Sequence, residues 1–140
     1  MVETMPAKTV KQSQTHFRVR YAETDAMGIA HHSNYLIWLE IGRVDFLTQL
    51  GLPYREVEKR GIFLVVSGAA VKYRRAAVFD DDLLLTTRVG ALKSRLVRFE
   101  YAIERRCDSA LIAEGSTEHI ATDFEKRAIP IPQYLRDLLE

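Results

Sequence analysis

Between Arg20 and Tyr35 the chain gathers a carboxylate pair, Glu23 and Asp25, then Gly28, the adjacent histidines His31 and His32, and the Asn34-Tyr35 start of an apolar run. A carboxylate can take a proton from water or attack a carbonyl carbon itself. The first turn of a helix presents backbone N–H groups without helical partners and the positive end of the macrodipole. Such a place suits an oxygen that gains negative charge in a transition state. Gly28, having no Cβ, lets the backbone come close to a bound group. Each residue also has a plainer role. Asp25 can close a turn through its side chain, Glu23 is expected as a solvated loop charge, and Tyr35 as a core aromatic whose backbone matters. His31 and His32 are neighbours that point different ways, and neither has a Glu or His at i+4 to complete a zinc motif, so no metal is expected.

The flanking sequence supplies the elements that must hold this segment. From His16 to Tyr21, Phe17, Val19 and Tyr21 alternate with His16, Arg18 and Arg20, the period of a half-buried strand. Ala22 to His32 follows neither period and reads as a loop. From Asn34 to Leu50 the pattern is helical, with Ser33 or Asn34 as N-cap and Gly51 and Pro53 as the stop. Tyr35, Leu36, Ile37, Trp38, Leu39 and Ile41 cover nearly every direction of its first two turns, so the helix is expected to be enclosed. A short helix, Tyr54 to Lys59, precedes four strand-like runs at Ile62–Arg75, Leu83–Ala91, Arg95–Arg105 and Leu111–Phe124, the third of which has strict period-two alternation. Asp80-Asp81-Asp82, Lys93-Ser94 and Asp108-Ser109 separate them as turns, implying antiparallel neighbours. Strands of this length extend about 30–35 Å at ~3.3 Å per residue. The helix is about 25 Å long at ~1.5 Å per residue. A curved antiparallel sheet can therefore wrap one central helix, in the order β–α–β–β–β–β. This is the hot-dog arrangement, an α+β fold.

At 140 residues the chain is one domain's worth, read as a single domain with a frayed tail over residues 1–15 and a core over about 16–125. Gln133 to Glu140 can add a last helical turn or two. Twenty basic against nineteen acidic residues leave a net charge of +1, which argues against nucleic acid or an anionic membrane as the main partner. No run approaches the ~18 apolar residues of a membrane span, and the first fifteen residues lack an apolar signal-peptide core. Cys107 is the one cysteine, so no internal disulfide can form; it reads as a passive thiol in a reducing compartment. A cytoplasmic location is expected. Unpaired sheet edges favour a homo-oligomer, dimer or dimer of dimers.

The run from Tyr21 through Asp25, Gly28 and Asn34-Tyr35 resembles acyl-CoA thioesterases of the 4-hydroxybenzoyl-CoA thioesterase type, including the Tol-Pal-associated branch. The similarity covers about residues 16–125. It implies hydrolysis of an acyl-CoA thioester to a free acid and coenzyme A, with coenzyme A only as part of the substrate and no resident cofactor. It implies Asp25 as the catalytic carboxylate, nucleophile or general base, and backbone N–H groups near Tyr35 and Asn34 as the oxyanion site. His32 becomes a helper that orients the substrate; His31 stands where relatives often carry an aromatic residue. Gly28 and Ile29, with Leu64, Val65 and Val66, are candidate walls of the acyl pocket. Lys93 and Arg95, with Arg98 nearby and Lys72, Arg74 and Arg75 ending another strand, are candidates for the CoA phosphates. A dehydratase on the same fold would use His-Phe-Pro-Gly or Asn-Pro-x-His patterns, which this chain lacks. A non-catalytic binder of acyl-CoA or acyl carrier protein is the other alternative.

Overall fold

The computed structural model describes residues 11–140. The first ten positions of the expected tail lie outside the described residues. Five strands form one antiparallel sheet: β1 (Gln12–Arg18), β2 (Phe63–Tyr73), β3 (Asp82–Leu92), β4 (Leu96–Arg105) and β5 (Ala110–Thr122), in the spatial order β1-β3-β4-β5-β2. The main helix α1 (Asn34–Gln49) follows β1; α2 (Tyr54–Lys59) and a C-terminal α3 (Gln133–Leu139) complete the chain. This is the hot-dog architecture expected from the element order. Among the described residues no helix is long and apolar enough to cross a membrane.

The alternation in β4 decides its faces. Val97, Phe99, Tyr101 and Ile103 are buried, whereas Arg98, Glu100, Ala102 and Glu104 are not. Its neighbours add Leu83, Leu85 and Thr87 from β3 and Ile112, Thr117, His119 and Ala121 from β5 to the same interior. Helix α1 packs there through Tyr35, Trp38, Leu39, Gly42, Phe46 and Leu47, spaced as one helical stripe. Phe46 meets Phe99 edge-on at 5.8 Å, and Trp38 meets Phe17 at 5.1 Å.

Three expectations are corrected by the fold. Strand β1 begins at Gln12 rather than His16 and ends at Arg18. Backbone pairing with β3, from Gln12 opposite Arg88 to Arg18 opposite Asp82, holds the polar residues in the sheet where side-chain alternation carries no signal. Tyr21 leaves the strand for a single 3-10 turn, Tyr21–Glu23, and is 76% exposed. Helix α1 is not enclosed on all sides: Leu36, Ile37, Ile41 and Val44 are 46, 50, 43 and 39% exposed. The sheet's concave face covers only one stripe of the helix, and the opposite apolar stripe faces outward.

Candidate active site

A small hairpin positions Asp25. Its N–H donates to the Ile29 carbonyl at 2.9 Å and its carbonyl accepts the Gly28 N–H at 2.9 Å, while Gly28 sits at φ +80° with open space around it. Glycine is needed here for the left-handed backbone, since a side chain would be strained though not crowded. The hairpin is stitched to residues 77–78 by the Ala30 N–H on the Ala77 carbonyl, 2.8 Å, and by a bridge between Ile29 and Val78. The carboxylate divides its duties. Oδ1 accepts the Met27 N–H at 2.9 Å, so Asp25 does close a turn with its side chain; Oδ2 takes no hydrogen bond among the described residues.

Asp25 borders a cavity of about 330 Å³ lined also by Met27, Ile29, His32, Tyr35, Tyr73 and Arg75. Tyr73, at the end of β2, stands edge-on to the buried Tyr35 ring at 4.9 Å and donates its hydroxyl to the His32 carbonyl at 3.1 Å. Burial pushes the Tyr35 phenol above its ordinary pKa. The His31 and His32 rings stack at 4.2 Å. Among the described residues Arg75 pairs with no carboxylate, while Arg74 pairs with Glu114.

The helix start is capped differently from the expectation. Ser33 is the N-cap, but neither its hydroxyl nor the Asn34 amide caps the helix. Instead, His31 Nδ1 accepts the Ser33 N–H at 3.2 Å and lies 2.8 Å from the Ser33 hydroxyl. The Asn34 and Tyr35 N–H groups donate to the His31 and His32 carbonyls at 3.0 and 3.3 Å; the second is long for such a bond. The Asn34 side-chain amide donates back to the Glu23 carbonyl at 2.9 Å.

Glu23, expected in solvent, is instead buried and 4% exposed. Its carboxylate accepts the Arg20 N–H and the Trp38 indole N–H, each at 2.8 Å, and its carbonyl accepts the His31 N–H at 2.8 Å. Burial would raise its pKa, but the Arg20 N–H, the Trp38 indole and the Arg20 guanidinium together hold the carboxyl below its usual range. Glu23 thus ties the active loop to α1 from within. The sequence holds one signal for this: an inward-facing tryptophan needs an acceptor for its N–H.

The remaining candidates lie elsewhere in the chain. Leu64 and Val66 border a second cavity beside α1, with Glu40, Arg43 and Tyr54. Val65, opposite Ile120, lies on the other face of β2. Lys93 and Arg95 occupy the β3–β4 turn. Strand β3 runs to that turn from Asp82, which pairs with Arg18 near the site loop, so the turn lies about 30 Å away at ~3.3 Å per residue. Tyr73 and Met27 at the Asp25 cavity carry no mark in the sequence that singles them out. The bulge between Val66 and Gly68 resets the phase of β2 and hides from the sequence which of its residues face α1.

A helix cradled by a curved five-stranded antiparallel sheet is the hot-dog fold. The chain belongs to the thioesterase-like superfamily, whose sequence pattern spans residues 19–139. YneP of Bacillus subtilis (strain 168), named as a presumed acyl-CoA thioesterase, is 31% identical over 113 residues, 81% of each chain. The hypothetical protein TT1821 from Thermus thermophilus superposes with a TM-score of 0.86 at 43% identity, over 91% of this chain and 96% of its own. A DHNA-CoA thioesterase from Staphylococcus aureus superposes with a TM-score of 0.81 at 33% identity, over 90% of this chain and 85% of its own.

Proposed function

We propose that the protein hydrolyses acyl-CoA thioesters, with Asp25 as general base or nucleophile and the start of α1 as the oxyanion site. The observation that carries this reading is the divided carboxylate: one oxygen is anchored to Met27, the other takes no hydrogen bond among the described residues, and the side chain borders the Tyr35–Tyr73 cavity. As a base, Oδ2 takes a proton from a water whose oxygen attacks the thioester carbon. The carbonyl electron pair moves to oxygen and returns as the C–S bond breaks, and the CoA thiolate leaves and takes up the proton. As a nucleophile, Oδ2 attacks directly and the resulting mixed anhydride is hydrolysed by water. A developing oxyanion would take over the Tyr35 N–H, whose present bond to His32 is the long one. His32, on the cavity wall, would orient the substrate. No metal is needed, because a thiolate is a good leaving group.

The CoA phosphates have a cation within the chain in Arg75, at the cavity. Lys93 and Arg95, at the far end of the sheet, can serve the same site only from a second copy, which fits assembly as a homo-oligomer. An acyl carrier protein presents the same kind of thioester and is the other candidate donor. A thiol-release assay across an acyl-CoA panel tests the reading. Asp25→Asn is expected to fold and to turn over about 10²–10⁴-fold more slowly, the usual range for losing a general base. Near-normal turnover in a folded variant overturns the role of Asp25, and a wild type that binds acyl-CoA without releasing thiol leaves a binding module. In a single turnover in oxygen-18 water, label in the Asp25 carboxylate marks a nucleophile whose anhydride opens at the Asp25 carbon; label only in the acid product marks attack by water at the acyl carbon, on the thioester or on the anhydride.

A further inference from the structure

A second cavity, about 300 Å³, lies between α1, α2 and β2, walled by Val44, Leu64, Val66 and Phe99 with Arg43 and Tyr54 among them. It shares no lining residue with the Asp25 cavity but lies further along the same seam between α1 and β2. Strand β2 runs antiparallel to α1: Tyr73 meets Tyr35 at the helix start, and Leu64 and Val66 share the second cavity with Arg43 and Val44. Between them the register turns Val71 and Ala69 to the inner face, since they pair with Gly115 and the buried Thr117. Tyr35 and Arg43 are eight residues apart, about 12 Å along the axis at ~1.5 Å per residue.

Behind Arg43, on the wall of this cavity, a polar chain runs through the core. His119, fully buried, places Nδ1 3.4 Å from the Leu64 carbonyl and Nε2 2.8 Å from the Thr117 hydroxyl; that oxygen lies 2.6 Å from the Tyr101 hydroxyl. The Arg43 guanidinium stands beside Tyr101. One assignment of protons satisfies every member: His119 Nδ1–H donates to Leu64, Thr117 to His119, Tyr101 to Thr117, and Arg43 to the Tyr101 oxygen. An apolar core would be simpler, so three buried polar side chains in series point to the group at their end. Among the described residues Arg43 pairs with no carboxylate. Tyr54 accepts the Leu64 N–H at 3.0 Å and keeps its own O–H to give. Glu40 and Glu58 also border the cavity. Two carboxylates against one guanidinium disfavour an anion and suit a neutral group that both accepts and donates.

We infer that this cavity receives the far end of a linear acyl chain and that Arg43, with Tyr54, selects chains carrying a terminal hydroxyl. The inference rests on the thioesterase reading and adds to it a substrate class and a specificity residue. The hydroxyl oxygen accepts from Arg43 and Tyr54, and its O–H donates a hydrogen bond to Glu40 or Glu58 on the wall. The 12 Å run excludes a single aromatic ring as the group that reaches both ends.

The test compares kcat/KM for matched pairs of straight-chain and ω-hydroxyacyl-CoA, from hexanoyl to dodecanoyl, with thermal melting to establish folding. The wild-type protein should favour the hydroxylated member at one chain length by about tenfold or more, the worth of one or two hydrogen bonds. Arg43→Leu should bring that ratio to about one, chiefly through KM. Val66→Phe, on the cavity wall, should sediment as the wild type does, cut activity on the longest chains and spare butyryl-CoA. No preference at any length in the wild type, or a preference that survives in Arg43→Leu, overturns the inference. If Arg43→Leu fails to fold, an unchanged chain-length profile in Val66→Phe overturns it. A wild type that hydrolyses no acyl-CoA at all removes the thioesterase reading first and this one with it.

Discussion

At the scale of single residues, chemistry is easier to read than support. Asp25, Gly28 and Tyr35 stand out because their types match a reaction, and the fold brings Asp25 and Tyr35 to one cavity, with Gly28 in the hairpin beside it. Glu23 reads as a solvated loop charge because a carboxylate two residues from Asp25 looks like loop decoration; only its bond to the buried Trp38 indole reveals what it does. Glu23→Gln replaces a charged acceptor of two N–H groups with a neutral one. It should destabilise the protein by about 1.5–3 kcal/mol, the range for hydrogen bonds to charged groups, and a chemical-denaturation midpoint measures this directly. Because the native pKa of Glu23 is lowered, its contribution is present above the ordinary carboxylate range and fades as pH falls through the native value. His119 behaves likewise with the opposite charge. Burial first, then the positive charge of Arg43, bring its pKa down from 6.5 to about 4. Native His119 therefore stays neutral while the unfolded chain takes a proton, so stability holds above pH 6.5 and declines as pH falls towards 4. The loss over that window is on the order of 3 kcal/mol, since each pH unit between the two values contributes about 1.4 kcal/mol. Denaturation curves for His119→Asn should lack this decline; an identical pH profile would refute the assignment.

At the scale of elements, periodicity locates the strands and helices within a few residues, because burial on one face leaves a period of two or 3.6. It fails where backbone pairing alone makes the element, as in Gln12–Thr15, and where a bulge shifts the phase, as in β2. Nor can it show how close α1 comes to the sheet. Gly42, in mid-helix, faces β3; a Cβ there would sit 2.5 Å from Leu85 Cδ2 and 2.6 Å from Thr87 Oγ1. Leu85 and Thr87 are themselves fully buried, so they have little room to yield. In an exposed helix, Gly→Ala would gain about 1 kcal/mol from propensity. Here overpacking should cost about 1–3 kcal/mol, and the clash should win. Gly42→Ala is expected to lower the melting temperature, and a rise would mean that α1 moves off the sheet without cost.

At the scale of the whole molecule, the mismatch between an enclosed helix and the observed half-covered one is itself informative. The first turns of α1 are apolar on every side, yet one chain's sheet covers only the Tyr35–Trp38–Leu39–Gly42–Phe46 stripe. Leu36, Ile37, Ile41 and Val44 remain outside, next to β2, whose free edge carries exposed Val65 and Val66. A helix apolar all round implies enclosure, and a bare edge strand invites pairing; a second copy of the chain would answer both. The same assembly would let Lys93 and Arg95 reach a site that their own chain sets about 30 Å away at ~3.3 Å per strand residue. The loop that holds Asp25 depends on Glu23, Trp38 and Ala77 of its own chain, so breaking the assembly should leave that loop folded. Ile41→Glu puts a charge in the middle of the outward stripe and touches none of these residues. Sedimentation should find the wild type as a dimer or larger and Ile41→Glu as a folded monomer with weakened acyl-CoA hydrolysis. A wild-type monomer with full activity would show that the stripe has another purpose and that the cations at the β3–β4 turn play no part in binding CoA.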